Sequence, residues 1–179
     1  MRIVAGQHRG RVLDSPKDNA IRPTSDKVRL AVFNMLNSRG AVVDAIVLDA
    51  FCGTGALSLE ALSQGAAQAV LIDQDKKSLD LAKKNAATLK EEKNCQFILK
   101  DATKMGLRPS SQIAATLCFL DPPYRKEMLP KVISSLKENN WLAENCWIVA
   151  EMEADYVLPD FSTEVEKIYG DTKILIGRL

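Results

Sequence analysis

Residues Asp121-Pro122-Pro123-Tyr124 bring together the groups needed to hold and orient an amino nitrogen. They follow the apolar run Thr116 to Leu120, which reads as a buried strand of a parallel sheet. Each proline fixes its own φ and presses the preceding residue into an extended conformation, so Asp121, Pro122 and Pro123 form a stiff rod at the strand's C-terminal end. The rod offers two acceptors, the Asp121 carboxylate and the Pro122 carbonyl, beside the flat Tyr124 ring. A planar substrate with an exocyclic amino group can stack on that ring and donate both amino hydrogens, which prepares the nitrogen for methyl transfer. Taken alone, a surface turn after a strand explains the same residues, because Asp and Pro are common there.

A second constellation runs from Leu48 to Ser58 and reads as a strand end, a tight glycine turn and a helix start. Glycines at Gly53 and Gly55 let backbone approach a ligand closely. The next strand finishes at Asp73, followed by Gln74, where a carboxylate can accept both ribose hydroxyls of a nucleoside. Asp75 is better explained as the N-cap of the following helix. This spacing fits NAD as well as S-adenosylmethionine. Two residues favour the sulfonium cofactor. Ser58 stands where a dinucleotide fingerprint has its third glycine, and Asp49 would repel a pyrophosphate but serve a cationic amino-acid moiety. The cofactor set is then Asp49, Phe51, Cys52, Gly53, Thr54, Gly55, Asp73 and Gln74, joined by Asp101 and Ala102 at the third strand's end. There an acidic side chain can meet the adenine amino group, or act as a simple turn aspartate.

The elements that must position these groups alternate along the chain. Strands are expected at Ile46 to Ala50, Ala69 to Ile72, Gln96 to Leu99, Thr116 to Leu120 and Trp147 to Ala150, with helical patterns between them. One helix runs to about Gln64, one carries Leu79, Ala82, Ala86 and Leu89, and one carries Met128, Leu129, Val132, Ile133 and Leu136. This predicts an α/β fold with a doubly wound, mostly parallel sheet. Val165 to Tyr169 and Lys173 to Gly177 face each other across Gly170-Asp171 and predict a closing antiparallel hairpin. Residues 1–40 read as an appendage to a domain over 41–179. Arg2 to Ala5 and Arg11 to Leu13 form a small hairpin, and Thr24 or Ser25 caps a helix whose apolar face is Val28, Ala31, Val32, Met35 and Leu36.

At 179 residues, with 46% hydrophobic and 26% charged residues, the chain is long enough for one well-buried domain and too short for a second enzyme domain. No apolar run reaches membrane-spanning length, and the N-terminus lacks a secretory leader's apolar segment, so a cytoplasmic protein is expected. Cys52, Cys95, Cys118 and Cys146 form no C-x-x-C pair and read as reduced thiols, with no metal site. The net charge of +1 is uneven: residues 1–39 hold eight Lys/Arg against three Asp/Glu, the rest sixteen against twenty. A basic arm on a near-neutral body suits nucleic acid, with a solvated basic face as the plainer alternative. Arg9, Arg11, Arg22, Lys27 and Arg29 are the candidate phosphate contacts, although Arg22 and Thr24 could instead lie near the cofactor. The single histidine, His8, reads as a polar turn residue.

With Asp49 to Gly55, Asp73, Asp101 and Asp121 to Tyr124 in order along alternating strands, the chain resembles the class I S-adenosylmethionine-dependent methyltransferases. Gly6-Gln7-His8-Arg9-Gly10-Arg11, Arg22 to Arg29, Asp49 to Leu57 and Asn140-Trp141-Leu142 narrow the resemblance to the bacterial ribosomal RNA small subunit methyltransferase D family. That resemblance implies a seven-stranded sheet, S-adenosylmethionine over the first strands' ends, and methylation of the N2 amino group of one guanine in 16S ribosomal RNA. A monomer acting on 16S ribosomal RNA within the assembling or assembled small ribosomal subunit is expected. The family often has phenylalanine where this chain has Tyr124, and commonly glutamate where it has Asp73. The competing readings are a DNA adenine or protein glutamine amino-methyltransferase, a nicotinamide-dependent dehydrogenase, and a non-catalytic RNA-binding domain.

Overall fold

The computed structural model describes residues 1–16, 25–123 and 128–179. Among these residues seven strands form one sheet in the order β3-β2-β1-β4-β5-β7-β6. They are β1 (Ile46–Asp49), β2 (Gln68–Asp73), β3 (Cys95–Leu99), β4 (Ala115–Leu120), β5 (Leu142–Glu153), β6 (Ser162–Tyr169) and β7 (Thr172–Arg178). The pairs among β1 to β5 are parallel, whereas β7 pairs antiparallel with both β5 and β6. β1 and β4 are covered on both faces, which explains their near-continuous apolar sequence. Tyr169 and Thr172 pair across Gly170-Asp171, so the expected hairpin is present. β5 extends well beyond the expected Trp147–Ala150, because Leu142 joins the ladder ahead of a register irregularity.

Among the described residues four helices pack on the sheet: α1 (Asp26–Asn37), α2 (Ala56–Ser63), α3 (Lys76–Leu89) and α4 (Met128–Glu138). The Ser25 hydroxyl accepts the Val28 N–H at 3.3 Å and so begins α1. Asp75 accepts the N–H groups of Lys77 and Ser78 and begins α3. The buried face of α1 differs from the expected one. It centres on Arg29, Val32, Phe33 and Leu36, while Val28 and Met35 only flank the core.

The described residues among the first forty are bound into the domain's main core. Ile3, Leu13, Val32, Phe33 and Leu36 belong to the same buried cluster as Val47, Leu117 and Phe119. The hairpin closes through Ile3 N–H to Arg11 O at 2.9 Å and Leu13 N–H to Met1 O at 3.0 Å. Its tip lies against α2 so closely that a Cβ on Gly6 would sit 1.8 Å from the Ser63 carbonyl oxygen. Glu60, fully buried in α2, accepts the N–H groups of Val4 at 2.8 Å and Ala5 at 2.9 Å, the Gln64 amide at 2.7 Å and Arg29 Nε at 3.3 Å. A buried carboxylate requires such partners, since desolvating it alone would cost several kcal/mol. All four cysteines are free thiols. No helix among the described residues is long and apolar enough to cross a membrane.

Candidate active site

The chain runs from β1 outward to β2 and β3, then returns to lay β4 on the other side of β1. In an open α/β sheet, that reversal leaves a crevice at the strands' C-terminal ends where ligands bind. Asp49, Asp73, Asp101 and Asp121 lie at or just beyond the C-terminal ends of β1, β2, β3 and β4, so four carboxylates separated in sequence share one edge.

The loop from Ala50 to Gly55 is held from below by backbone bonds. Ala50 N–H reaches Phe119 O at 3.1 Å, Cys52 N–H reaches Ile72 O at 2.9 Å, and Gly55 N–H reaches Cys52 O at 2.7 Å. Gly53 and Gly55 adopt φ of 52° and 77°, a left-handed conformation that glycine takes without steric cost. Their surroundings differ. A Cβ on Gly55 would lie 3.0 Å from Leu71 Cδ2 and 3.2 Å from Ala82 Cβ, so its bareness lets α3 approach β2. A Cβ on Gly53 would meet nothing within 4 Å, so that glycine opens toward the crevice. This is the fit a cofactor needs: open space above a fixed backbone turn.

Asp73 accepts Gly53 N–H at 2.9 Å and Asp75 N–H at 2.8 Å, one on each carboxylate oxygen. It therefore fixes the glycine turn and keeps a lone pair on each oxygen for a ribose hydroxyl. Exposed Gln74 stands beside it. Asp101 caps the following turn, accepting Thr103 N–H at 2.9 Å and the Thr103 hydroxyl at 2.7 Å. The Thr103 hydroxyl in particular lowers its pKa, keeping it an ionised acceptor.

Three expected cofactor residues do not face the crevice. Asp49 is only 1% exposed; it accepts the Ser58 hydroxyl at 3.0 Å and the backbone N–H groups of Phe51 and Ser58. Burial, with a smaller contribution from the Asp73 charge, raises its pKa to about 7 against the Ser58 hydrogen bond. Asp49 thus braces the loop and can act on a bound cation only through its field. Cys52 is buried beneath the loop, where desolvation pushes its thiol pKa far up. Ala102 is turned into the core. Phe51 and Thr54 remain half-buried at the loop.

Asp121 is half-buried, Pro122 buried and Pro123 exposed. Burial first, then the charges of Glu151 and Asp49, raise the Asp121 pKa well above the usual carboxylate range. Tyr124 and Arg22 lie outside the described residues. Arg9 and Lys27 are exposed, as expected of phosphate contacts, and Arg11 is exposed while donating to Thr88 O at 2.7 Å. Arg29 must be withdrawn from that group. It is 1% exposed and its guanidinium is engaged by Glu60, by Asp26 at 2.9 Å and by the Arg2 carbonyl, so no phosphate can reach it. His8 sits in the hairpin with Nε2 2.6 Å from Glu91 Oε1.

Sequence reasoning missed Asn85 and Glu151. Asn85, buried in α3, donates to Thr54 O at 2.9 Å and Asp14 O at 3.1 Å and accepts Asp14 N–H at 2.8 Å, joining the loop to the N-terminal segment. A polar residue among Leu79, Ala82, Ala86 and Leu89 was its signal. Glu151 carried a plainer one, because Ile148-Val149-Ala150-Glu151 repeats the pattern of an apolar strand ending in a carboxylate.

The sheet, its reversal at β1 and β4, and the glycine loop define a class I S-adenosylmethionine-dependent methyltransferase. The family described as conserved hypothetical protein 95 matches residues 1–178. The chain is 40% identical over 174 residues to ribosomal RNA small subunit methyltransferase D of Escherichia coli K12, covering 95% of this chain and 85% of that one. The namesake from Haemophilus influenzae is 36% identical over 156 residues, covering 87% and 80%. A solved Escherichia coli structure, described provisionally as a methyltransferase, superposes with a TM-score of 0.84 at 37% identity over 99% of this chain and 97% of that one. The chain belongs to the ribosomal RNA small subunit methyltransferase D family.

Proposed function

We propose that this protein methylates the exocyclic N2 amino group of one guanine in 16S ribosomal RNA, acting in the cytoplasm as a monomer on the assembling or assembled small ribosomal subunit. Its relatives named as ribosomal RNA methyltransferases support the RNA substrate. The observation that carries the chemistry is Asp121, a desolvated carboxylate at the end of β4 rigidly followed by two prolines.

S-adenosylmethionine supplies a methyl group on a sulfonium. The residues of the chain supply position. The guanine N2 lone pair is delocalised into the ring and becomes nucleophilic only when the amino group pyramidalises. Asp121 and the Pro122 carbonyl, accepting the two N–H bonds, favour that geometry, and Tyr124 offers the stacking platform for a base taken out of its helix. Methylation leaves the nitrogen positively charged and acidic. A carboxylate whose pKa is raised by burial and by two neighbouring charges is suited to receive the released proton.

Nucleoside analysis of ribosomal RNA from cells with and without the protein tests this reading. N2-methylguanosine at one small-subunit position should be missing without it and return with the wild-type chain. Asp121→Ala should bind S-adenosylmethionine normally yet lose turnover by orders of magnitude, since it removes an acceptor used at the reacting nitrogen. Unchanged N2-methylguanosine in the cells, or near-normal turnover by the variant, would overturn the assignment.

A further inference from the structure

The charge of the chain is divided between the two ends of its sheet. Residues 76–93, which form α3 and the turn into β3, hold six Lys against three Asp/Glu, whereas residues 142–179, which form β5, β6, β7 and their connections, hold three Lys/Arg against eight Asp/Glu. α3 packs on β2 and β3, at the opposite end of the strand order from β7 and β6. A polyanion is therefore drawn to the α3 end and repelled from the other.

The hairpin extends the basic end. Arg11 donates to Thr88 O in the last turn of α3, Asn85 holds the Asp14 N–H at 2.8 Å, and the Asp14 carboxylate reaches Lys84 Nζ at 2.6 Å. The segment from Arg11 to Asp14 thus lies along the end of the helix. The exposed lysines in the body of α3 fall on two stripes. Lys76 and Lys83 both turn to Asp80, at 2.8 and 3.7 Å, so they share an acid on their own helix. Lys77 and Lys84, seven residues apart and hence on one face, form the other stripe, which continues to Thr88 and so to Arg11. Within α3 that second stripe carries no acidic residue, and the Lys84 partner Asp14 comes from the hairpin segment. Lys77 stands in the first turn, four residues past Asp73 at the crevice, and Thr88 lies eleven residues on, about 16 Å along the axis.

Resting on the proposed RNA substrate, we propose that this stripe is a docking track for the RNA backbone. Lys77 and Lys84 hold phosphates of the strand next to the target nucleotide, and Arg11 and Arg9 continue the track on the hairpin. Exposed lysines and arginines suit a phosphodiester chain, because each contact releases condensed counterions and demands no particular base. RNA held in this way enters the crevice from the β2–β3 side and leaves the acidic end of the sheet uncovered.

The test is binding of 16S ribosomal RNA to the full chain across a potassium chloride series. Lys77→Glu/Lys84→Glu is compared with Lys137→Glu/Lys167→Glu, which makes the same change in net charge at exposed positions on α4 and β6. The α3 pair should bind about ten-fold or more weakly at low salt, and the slope of log affinity against log salt should flatten by about 1.5, the share of two phosphate contacts. Lys77→Gln/Lys84→Gln, which adds no carboxylate, should flatten the slope equally. The control pair should keep the wild-type slope. S-adenosylmethionine affinity, titrated on each preparation, should match the wild type and identifies any variant that has not folded.

An unaltered slope in the folded α3 variants, or equal losses in the α3 and control pairs, would overturn the inference. Failure of the functional reading would look different. RNA treated with the wild-type chain would then lack N2-methylguanosine, while the salt slopes of binding would still separate the two pairs.

Discussion

Arg29 Nε lies 3.3 Å from Glu60 Oε2, and the two residues are 1% and 0% exposed. This pair ties α1 to α2 while Glu60 also holds the backbone of Val4 and Ala5, so three segments meet on one carboxylate. Removing one partner takes the opposite charge from a buried group and leaves it with its remaining partners only, at a cost of up to about 3–5 kcal/mol. Glu60→Ala and Arg29→Ala should each lower the unfolding free energy measured by urea titration by that much, whereas Arg9→Ala should change it little. Small losses in both would show that water replaces the missing partner.

The buried carboxylate of Asp49 predicts opposite effects on stability and binding. Its folded pKa, about 7, exceeds its usual 3.8, so the folded protein holds that proton more tightly than the unfolded chain. Its contribution is fully favourable below about pH 4 and is lost as pH rises through 7. Asp49→Asn should therefore stabilise the ligand-free protein at pH 8, by on the order of 1–3 kcal/mol. A cationic cofactor moiety favours the ionised form, so wild-type affinity for S-adenosylmethionine should rise between pH 6 and 8. Calorimetry across that range should show the rise in the wild type and a flatter profile in Asp49→Asn.

The two loop glycines should fail in different ways. Gly55→Ala adds a methyl group that presses on Leu71 and Ala82 as well as imposing a left-handed residue, so it should cost stability, about 2–4 kcal/mol by the scale of overpacking and backbone strain. Gly53→Ala meets no protein atom and should cost only the backbone term, about 1–2 kcal/mol. Its methyl group enters the crevice instead. Cofactor binding by Gly53→Ala, compared at equal folded fraction, should fall further than thermal stability suggests.

Arg9 and Arg11 remain the test of the basic hairpin. Replacing both with glutamate should weaken RNA binding and flatten its dependence on salt, since fewer counterions are released. Affinity for S-adenosylmethionine, titrated on the same folded preparation, should not change. An unaltered salt slope would mean that the hairpin's charge is only solvated surface.

The strands and helices around the site were readable because each buried strand is a short apolar run and each helix repeats at 3.6 residues. The carboxylates at the strand ends were readable for the same reason, since an apolar run that stops at an acidic residue marks where the sheet meets solvent. Which carboxylates face a ligand was not. Asp49 and Asp73 look alike in sequence, yet Ser58 and the loop seal the first, while the second stays half-exposed. Arg29 misled for a related reason. A cation at a helix position gives no local sign that a carboxylate thirty-one residues later will be buried against it. Asn85 and Glu60 likewise act across large separations that periodicity does not report.

The placement of β7 between β5 and β6 constrains the order in which the sheet can be completed. In chain order the final strand is an interior one, and the strand made before it, β6, touches the rest of the sheet only through it. Until Thr172–Arg178 has been synthesised and slotted in, β5 presents an open edge one strand away from Asp121, and the β6 segment has no sheet to join. Premature termination within β7 would therefore leave more than a frayed end. It would expose the kind of unpaired edge through which chains associate with one another, while every residue of the cofactor loop had already been made.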